Sequence, residues 1–214
     1  MGRPSTLEDK RRELLPVLAG AFAELGYRRL TSAELSARCG VGENVLYRIW
    51  PDKVAMFLAA LDWVYLSSER AWERLLADEQ GGDGPFLRLL AHEASHHGEQ
   101  GLYRIVFAGL SETDDPRIRR ALQGLYGRFH AFVRRQVTAH RGAQGPGTLD
   151  AETAAWAIVG LGTVASIGRE LGLFGAASRE RLLWDAGRVL AEGEPARSPT
   201  VRKPRRGGSK PRER

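Results

Sequence analysis

The stretch from Thr31 to Lys53, TSAELSARCGVGENVLYRIWPDK, constrains the fold more than any other part of this chain. Thr31 and Ser32 can accept hydrogen bonds from the unpaired amides at the start of a helix. The segment Gly40-Val41-Gly42 then ends that helix. A second short helix is predicted over Glu43 to Trp50, and the Pro-Asp pair after it ends this helix and begins the next. Two short helices across a glycine-containing turn predict a helix-turn-helix, whose second helix can lie in the major groove of DNA.

The same stretch resembles the N-terminal DNA-binding domain of the TetR (tetracycline repressor) family of bacterial transcriptional regulators. The family pattern includes a Gly-Val turn, a Leu-Tyr pair in the recognition helix and a Lys that opens helix four. In this chain those residues are Gly40-Val41, Leu46-Tyr47 and Lys53. The phrase AFAELGYRRLT, residues 21–31, also resembles the end of the family's first helix, so that the resemblance covers about the first 53 residues.

The resemblance implies how this part of the chain would divide its contacts with double-stranded DNA. Phosphate contacts position a protein on DNA, and contacts to base edges select the sequence. By resemblance, the phosphate set is Thr31 or Ser32, Tyr47 and Lys53. A carboxylate can accept from cytosine, an amide can pair with adenine, an apolar side chain can meet a thymine methyl group and a guanidinium can bind guanine. The corresponding base-edge candidates are Glu43, Asn44, Val45 and Arg48.

Two positions of the second helix depart from the family pattern. The family often has Thr where Val45 stands and His or Tyr where Ile49 stands, and both residues are apolar here. The change favours hydrophobic readout or packing at these positions. Trp50, where the family usually has Phe, is expected to anchor the helix to the core. For Glu43 and Arg48, the alternative to a base contact is a solvated surface.

The rest of the chain has helical periods and no strand pattern, because no stretch alternates between apolar and polar residues over strand length. Helix one is predicted to be capped by Ser5 or Thr6 and to end at Gly26. Pro16 predicts a kink in it, or a start near Leu15. Further helices are predicted at about 52–77, 85–97, 100–112, 115–141, 150–174 and 178–192. We therefore predict an all-α protein of about nine helices, and the family resemblance implies a three-helix head followed by a larger helical body.

Charge is distributed unevenly over the 214 residues. Segment 195–214 holds eight Lys or Arg and one Glu, a net +7, and the formal total of +6 therefore leaves about −1 for residues 1–194. This segment has almost no apolar side chains and is expected to be disordered. It either attracts DNA phosphates or only makes the chain more soluble.

The predicted domains are a DNA-binding domain, 1–53, an effector-binding and dimerisation domain, 54–194, and the basic tail, 195–214.

A single head covers only one half-site, and specific binding usually needs two heads spaced by about 34 Å. We therefore predict a homodimer on a near-palindromic operator, with its interface in the last two helices, about 150–192. An intramolecular core is the alternative use of these helices. Segment 154–168 is crowded with small residues that allow backbones to approach closely: Ala154, Ala155, Ala157, Gly160, Gly162, Ala165 and Ser166. The matching stripe on the last helix is Leu182, Leu183, Ala186, Val189 and Leu190.

The resemblance also implies an effector pocket in the larger domain, and repression as the default mode of regulation. Such pockets are mostly apolar with a few polar anchors, so the small-molecule effector is expected to be largely apolar. A DNA-binding regulator that needs no small molecule is the alternative. The candidate contacts are aromatic and histidine side chains on otherwise apolar helix faces: Trp63, Phe86, His92, His96, Tyr103, Phe107, Tyr126, Phe129, His130 and Trp156.

Other classes of protein find less support in the sequence. No nucleophile elbow, phosphate loop or paired carboxylate set indicates an enzyme, and no cofactor is predicted. His92, His96 and His97 lack an HExxH motif, which makes a helical metal-dependent enzyme a distant alternative. The single cysteine, Cys39, cannot form an internal disulfide, which fits a reducing cytoplasm. Its side chain is expected to pack beside the turn. The longest uncharged run, 153–168, is shorter than the roughly 20 residues that span a bilayer, so no membrane segment is predicted.

Overall fold

The computed structural model describes residues 6–77, 84–98, 103–144 and 149–192. The predicted Ser5 cap, residues 145–147 of the predicted loop and the basic tail at 195–214 lie outside these ranges. Within the described ranges the chain is helical and forms no strand. The helices are α1 Leu7–Arg29, α2 Ser32–Cys39, α3 Glu43–Ile49, α4 Lys53–Ala77, α5 Pro85–His96, α6 Tyr103–Leu110, α7 Pro116–Gln144, α8 Ala151–Glu170, α9 Ala176–Arg181 and α10 Gly187–Glu192.

A π-helical turn, Leu182–Ala186, joins α9 to α10, so that the described ranges contain nine separate helical segments. The predicted all-α fold is therefore confirmed. We call α1–α3 the head and α4–α10 the body. The division of the chain into domains at residue 53 stays a prediction, because the main hydrophobic core continues from the head into the body.

Helix α1 begins at a side-chain cap and is broken at a glycine, as predicted. Thr6 Oγ1 accepts from the Asp9 amide at 3.2 Å, and Asp9 Oδ2 accepts from the Thr6 amide at 3.1 Å. Gly26 has φ 75°, in the left-handed region that favours glycine, and only its angles are non-helical within α1. The start predicted near Leu15 is wrong, and the helix is not broken at Pro16. Since Pro16 is exposed, the carbonyl that loses its amide partner can be solvated.

The next helices begin and end where their sequence signals predicted. Thr31 Oγ1 accepts from the Glu34 amide at 3.1 Å and caps α2, and Gly40 ends α2 with φ 61°. Asp52 Oδ1 accepts from the Ala55 amide at 2.7 Å and caps α4. Helices α2 and α3 therefore form the predicted helix-turn-helix.

Three helix ends in the body differ from the prediction. Helix α8 ends at Glu170 instead of residue 174, because Gly172 adopts a φ of 63° that does not continue a right-handed helix. Helix α6 ends at Leu110 instead of residue 112, where the Ser111 hydroxyl donates to the Ala108 carbonyl. Helix α7 continues to residue 144 instead of ending at 141.

The main hydrophobic core anchors α3 through its inner face. Leu46 is completely buried and Trp50 is 3% exposed, which confirms the predicted anchoring role of this tryptophan. Helices α1 and α4 meet through Phe22 and Phe57, whose ring centroids lie 5.0 Å apart. Cys39 is half-buried and packs against the same core, as expected. Burying one leucine side chain stabilises a fold by about 1.5–3 kcal/mol. The burial of Leu46 therefore contributes substantially to the packing of α3 against the core.

Helix α8 packs against α7 and also exposes apolar side chains. Ala154, Ala155 and Ala165 are completely buried, and Gly162 lies against His97. Much of the small-residue segment therefore packs inside the body, which was the alternative to its use in a dimer interface. By length and composition α8 is the one described helix that could cross a membrane, a property that it shares with core helices of soluble proteins.

Candidate nucleic-acid interface and ligand cavity

The outer face of α3 forms the centre of the predicted DNA contact surface. Leu46 fixes the inner face, and Val45 is half-exposed at its side and available for an apolar contact. Ile49 packs against the main core, so that its departure from the family pattern serves packing. The outer face of α3 is polar, and a helix needs an exposed polar face to enter a groove of DNA. Its exposed residues are Glu43, Asn44, Tyr47 and Arg48.

Two of the predicted phosphate contacts touch each other, and the other two lie at the starts of α2 and α4. Ser32 Oγ and the Tyr47 hydroxyl are hydrogen-bonded, which joins the start of α2 to α3. Thr31 is the cap of α2 and is exposed. Lys53 Nζ lies 4.4 Å from the centre of the Tyr27 ring, and partial burial lowers the pKa of this lysine. Since a cation is attracted to a ring face, the contact holds the ammonium group at the start of α4.

Two ion pairs connect the head and the start of α4 to the body. Arg28 Nε lies 2.8 Å from Glu112 Oε1, and Arg117 Nη1 lies 2.8 Å from Asp52 Oδ2. The hydrogen bond from Arg117 holds the pKa of the Asp52 carboxyl below its ordinary value. Exposed pairs of this kind contribute little stability, but they link the orientation of the head to that of α6 and α7.

The body contains an apolar cavity of about 110 Å³. It is lined by residues of α4, α5, α6, α7 and α8, and by residues of the π-helical turn and the start of α10. The rings of Trp72 and Phe132 pack with centroids 4.7 Å apart on one side of it. Six aromatic side chains line this inner cavity: Trp72, Phe86, Tyr103, Tyr126, Phe129 and Phe132. Four of these, Phe86, Tyr103, Tyr126 and Phe129, are among the predicted effector contacts.

A second, more polar cavity of about 260 Å³ shares part of its lining with the first. The shared residues, which we call the partition, are Trp72, Glu93, His97 and Tyr103. Trp72 Nε1 donates to Glu93 Oε1 at 2.6 Å, and His97 Nδ1 lies 2.9 Å from Glu93 Oε2. His97 Nε2 donates to the Gly162 carbonyl at 2.8 Å. The partition therefore connects α4, the end of α5 and α8 through one hydrogen-bonded chain.

The charge of Glu93 is stabilised inside the body. Burial raises the pKa of the Glu93 carboxyl, but the hydrogen bond and charge of His97 and the hydrogen bond from Trp72 outweigh burial, so that the pKa lies below its ordinary value. A Cβ atom at Gly162 would lie 3.3 Å from His97 Cε1, which is tighter than ordinary contact. Glycine at this position therefore allows the imidazole to reach the α8 backbone.

The other predicted effector contacts lie elsewhere. His92 and His96 line the second cavity, and their rings stack with centroids 4.5 Å apart. In the described part of the chain, no three His, Cys, Asp or Glu side chains are grouped to hold a metal ion. His130 is stacked on Trp156, which is 47% exposed. The predicted contacts that line neither cavity are Trp63, Phe107, His130 and Trp156.

Sequence reasoning missed the partition as a unit. Trp72 was not singled out, and His97 was considered only as a metal ligand. The available signal was the spacing of Glu93 and His97, because an acid and a histidine four residues apart on a helix lie on one face. Their contact with Trp72 and Gly162 joins positions far apart in the chain, which no local pattern indicates.

Residues 17–60 match the family described as bacterial regulatory proteins, tetR family. The nucleoid occlusion factor SlmA of Citrobacter koseri is 30% identical over 148 residues, which cover 68% of this chain and 74% of SlmA. SlmA of Pectobacterium carotovorum is 29% identical over 154 residues, which cover 71% of this chain and 77% of SlmA. The crystal structure of a TetR transcriptional regulator from Chloroflexus aurantiacus aligns with a TM-score of 0.69 at 18% identity, over 87% of this chain and 96% of that one.

An exposed second helix in a helix-turn-helix, attached to an all-α body, defines a DNA-binding transcriptional regulator. More particularly, the chain belongs to the TetR family of bacterial transcriptional regulators. The resemblance noted in residues 21–53 is thereby confirmed. The family and its structural neighbours are regulators of transcription.

Proposed function

We propose that this protein is a ligand-responsive repressor, which binds a near-palindromic operator as a homodimer in the cytoplasm and is released by a small molecule. The observation that carries the proposal is the course of α4. This helix begins at Lys53 beside the DNA-facing surface and carries Trp72 at the partition. The two residues are separated by 19 positions, roughly 28 Å along a helix. A ligand that displaces the Trp72 end would therefore tilt α4, whose other end adjoins the head.

The proposed switch is a shift between two orientations of the head. A ligand can change operator affinity only by as much as it prefers one orientation over the other. The pairs Arg28–Glu112 and Arg117–Asp52 support a connection between body and head, since they would stretch or re-form when α4 tilts.

In the DNA-bound state we assign two sets of contacts. The phosphate set comprises Thr31, Ser32, Tyr47 and Lys53. Its support is the hydrogen bond between Ser32 and Tyr47, and the positions of Thr31 and Lys53 at the starts of α2 and α4. The base-edge set is supported by exposure on α3 and comprises Glu43, Asn44, Val45 and Arg48. In this assignment, Asn44→Ala relaxes preference at one base position, because an adenine contact is lost. An equal loss of affinity for every DNA sequence would remove Asn44 from the base-edge set.

The homodimer is supported by an apolar stripe on the outer face of α8 and its C-terminal cap residue, Leu171. At 100° per residue, its four members fall within an arc of about 80°. They are Trp156, 47% exposed, Val164, 50%, Ile167, 39%, and Leu171, 69%. Val189 on α10 is also exposed, at 53%. A contiguous exposed apolar surface of this kind on α8 is typical of a protein interface.

The dimer is tested by placing a charge in this stripe. Val164→Arg should lower the solution mass to that of one chain, because a buried unpaired charge opposes association. Gln123→Arg, at an exposed position of α7, is the matched control and should leave the mass at two chains. Sedimentation equilibrium measures both. A wild-type protein that is monomeric and still binds its operator tightly would contradict the dimer.

The ligand response is tested on operators mapped in the source genome. Compounds that raise the melting temperature of the protein are added to the operator complex, and the dissociation constant is measured. At least one stabilising compound should weaken operator binding. If every stabilising compound leaves operator affinity unchanged, the ligand response is refuted.

A second candidate is a DNA-binding protein that acts without a small molecule. The identity of 30% to the nucleoid occlusion factor SlmA favours this alternative, because it extends well beyond the head. Genome-wide mapping separates the two functions. A few sites at promoters support the repressor, whereas many sites outside promoters support a role in nucleoid occlusion.

A further inference from the structure

The size and lining of the inner cavity fit about one aromatic ring. Its volume of about 110 Å³ compares with roughly 150 Å³ for an engineered protein cavity that binds benzene. Aromatic side chains form much of the lining, and rings pack favourably in edge-to-face or offset contacts. A substituent on the ring would have to point to the partition, beyond which the second cavity offers more space.

Glu93 is the hydrogen-bond acceptor that such a ligand would meet. Its side chain is 27% exposed and lines both cavities. Each carboxylate oxygen accepts one hydrogen bond from the protein, Oε1 from Trp72 and Oε2 from His97. Since a carboxylate has about four lone-pair sites, about two remain for a donor on a ligand. An enclosed ligand without a donor would leave these sites unpaired at a cost in affinity.

The charge of the partition favours an uncharged ligand. His97 Nε2 lies 2.8 Å from the Gly162 carbonyl, which can only accept, so this nitrogen carries a proton. One more proton lies between His97 Nδ1 and Glu93, and the pair is neutral whichever atom holds it. No other acidic or basic side chain of the described chain lines the inner cavity. An ion there would be desolvated without a counter-charge.

Tyr103 favours a hydroxyl over other donors. Its ring lies 4.7 Å from the His97 ring, and it lines both cavities. Burial, followed by the nearby charge of Glu93, raises the pKa of Tyr103, which therefore keeps its proton. Its hydroxyl has no hydrogen-bond partner in the described ranges. A ligand hydroxyl can donate to Glu93 and accept from Tyr103, whereas an ammonium or amide N–H group can only donate.

We propose that the inner cavity binds a small, uncharged phenol. Its ring would lie among Trp72, Phe129 and Phe132, and its hydroxyl would donate a hydrogen bond to Glu93. The inference rests on the proposed ligand response, since it names the chemistry of the effector. A ligand bound to Glu93 would also act on α4, because Glu93 accepts a hydrogen bond from the indole of Trp72 on that helix.

Isothermal titration of the wild-type protein with five matched probes tests the ligand class. Phenol is compared with toluene and anisole, which lack the donor, and with benzoate and benzylammonium, which carry charge. Phenol should bind several-fold tighter than each of the others. Tighter or equal binding of any other probe, or no measurable binding of phenol, overturns the proposal.

A variant locates the site without disturbing the Glu93–His97 pair. Tyr103→Phe should weaken phenol about fivefold, the worth of one hydrogen bond, and leave toluene unchanged. Tyr27→Phe removes a hydroxyl from the head and is the control, with unchanged phenol affinity expected. Equal phenol affinity in wild type and Tyr103→Phe would overturn the assignment of the hydroxyl to the partition.

Operator binding, measured separately, distinguishes failure of this inference from failure of the ligand response. Phenol that binds the cavity and leaves operator affinity unchanged refutes the response but preserves the cavity assignment. A charged compound that releases the operator, while phenol fails to bind, refutes the cavity assignment but preserves the response.

Discussion

Replacing Lys53 by methionine tests whether α3 and its neighbouring helix ends face DNA. The substitution removes one positive charge but keeps a side chain of similar length. The logarithm of DNA affinity falls with the logarithm of salt concentration by about 0.9 per phosphate neutralised, so two heads lose about 1.8 from this slope. Over a fourfold rise in salt, the affinity of the variant should therefore fall about 12-fold less than that of the wild type.

Fluorescence anisotropy with a labelled 30-base-pair duplex, titrated at several salt concentrations, measures the slope. The operator sequence is not needed, because phosphate contacts are independent of sequence. Lys10→Met is the matched control, because Lys10 pairs with Glu13 at 2.9 Å and belongs to no predicted contact set. The salt dependence of DNA affinity for this variant should have the wild-type slope. A slope difference near 0.9 would indicate one head per complex. No difference for Lys53→Met would refute the contact.

Three further predictions concern stability. Leu46→Ala should lower the free energy of unfolding by about 2–5 kcal/mol in urea denaturation, because Leu46 is completely buried; a loss below about 1 kcal/mol would contradict its anchoring role. Asp52 has a lowered pKa in the folded state, so its ionised form stabilises the protein above the ordinary value of 3.8 and this stability is lost as pH falls through the folded pKa. The stability difference between wild type and Asp52→Asn should therefore shrink on acidification, and a constant difference from about pH 5 to about pH 2 would refute the linkage. Gly162→Ala should lower the melting temperature, since the new Cβ would press on His97 at 3.3 Å, whereas Gly160→Ala, where a Cβ meets open space, should not.

The helix-turn-helix could be predicted because its signals are local. Thr31 caps α2 through an amide three residues away, and Gly40 ends the same helix through its own φ angle. The opposite faces of α3 follow from helical period alone, since Leu46 must point away from the exposed Tyr47. The resemblance to a known family added the assignment of these residues to phosphates and bases.

The use of α8 was harder to predict from its composition. Small residues such as Ala154 and Ala165 are compatible both with a dimer interface and with an internal contact, and the structure places these two inside the body. The exposed stripe that includes Trp156 and Val164 was recognisable only after the buried side of the helix was known. Trp156 accordingly moves from the predicted effector contacts to the proposed dimer surface.

The sequence by itself determined where α2 and α3 begin and end, which side of α3 faces outward, and the family to which the chain is similar. Only the tertiary structure decided that Trp72, Glu93, His97 and Gly162 form one hydrogen-bonded chain beside an aromatic cavity. The physical reason is range. Caps, glycine angles and helical faces act within a few residues, whereas a cavity depends on how helices from distant parts of the chain pack against one another.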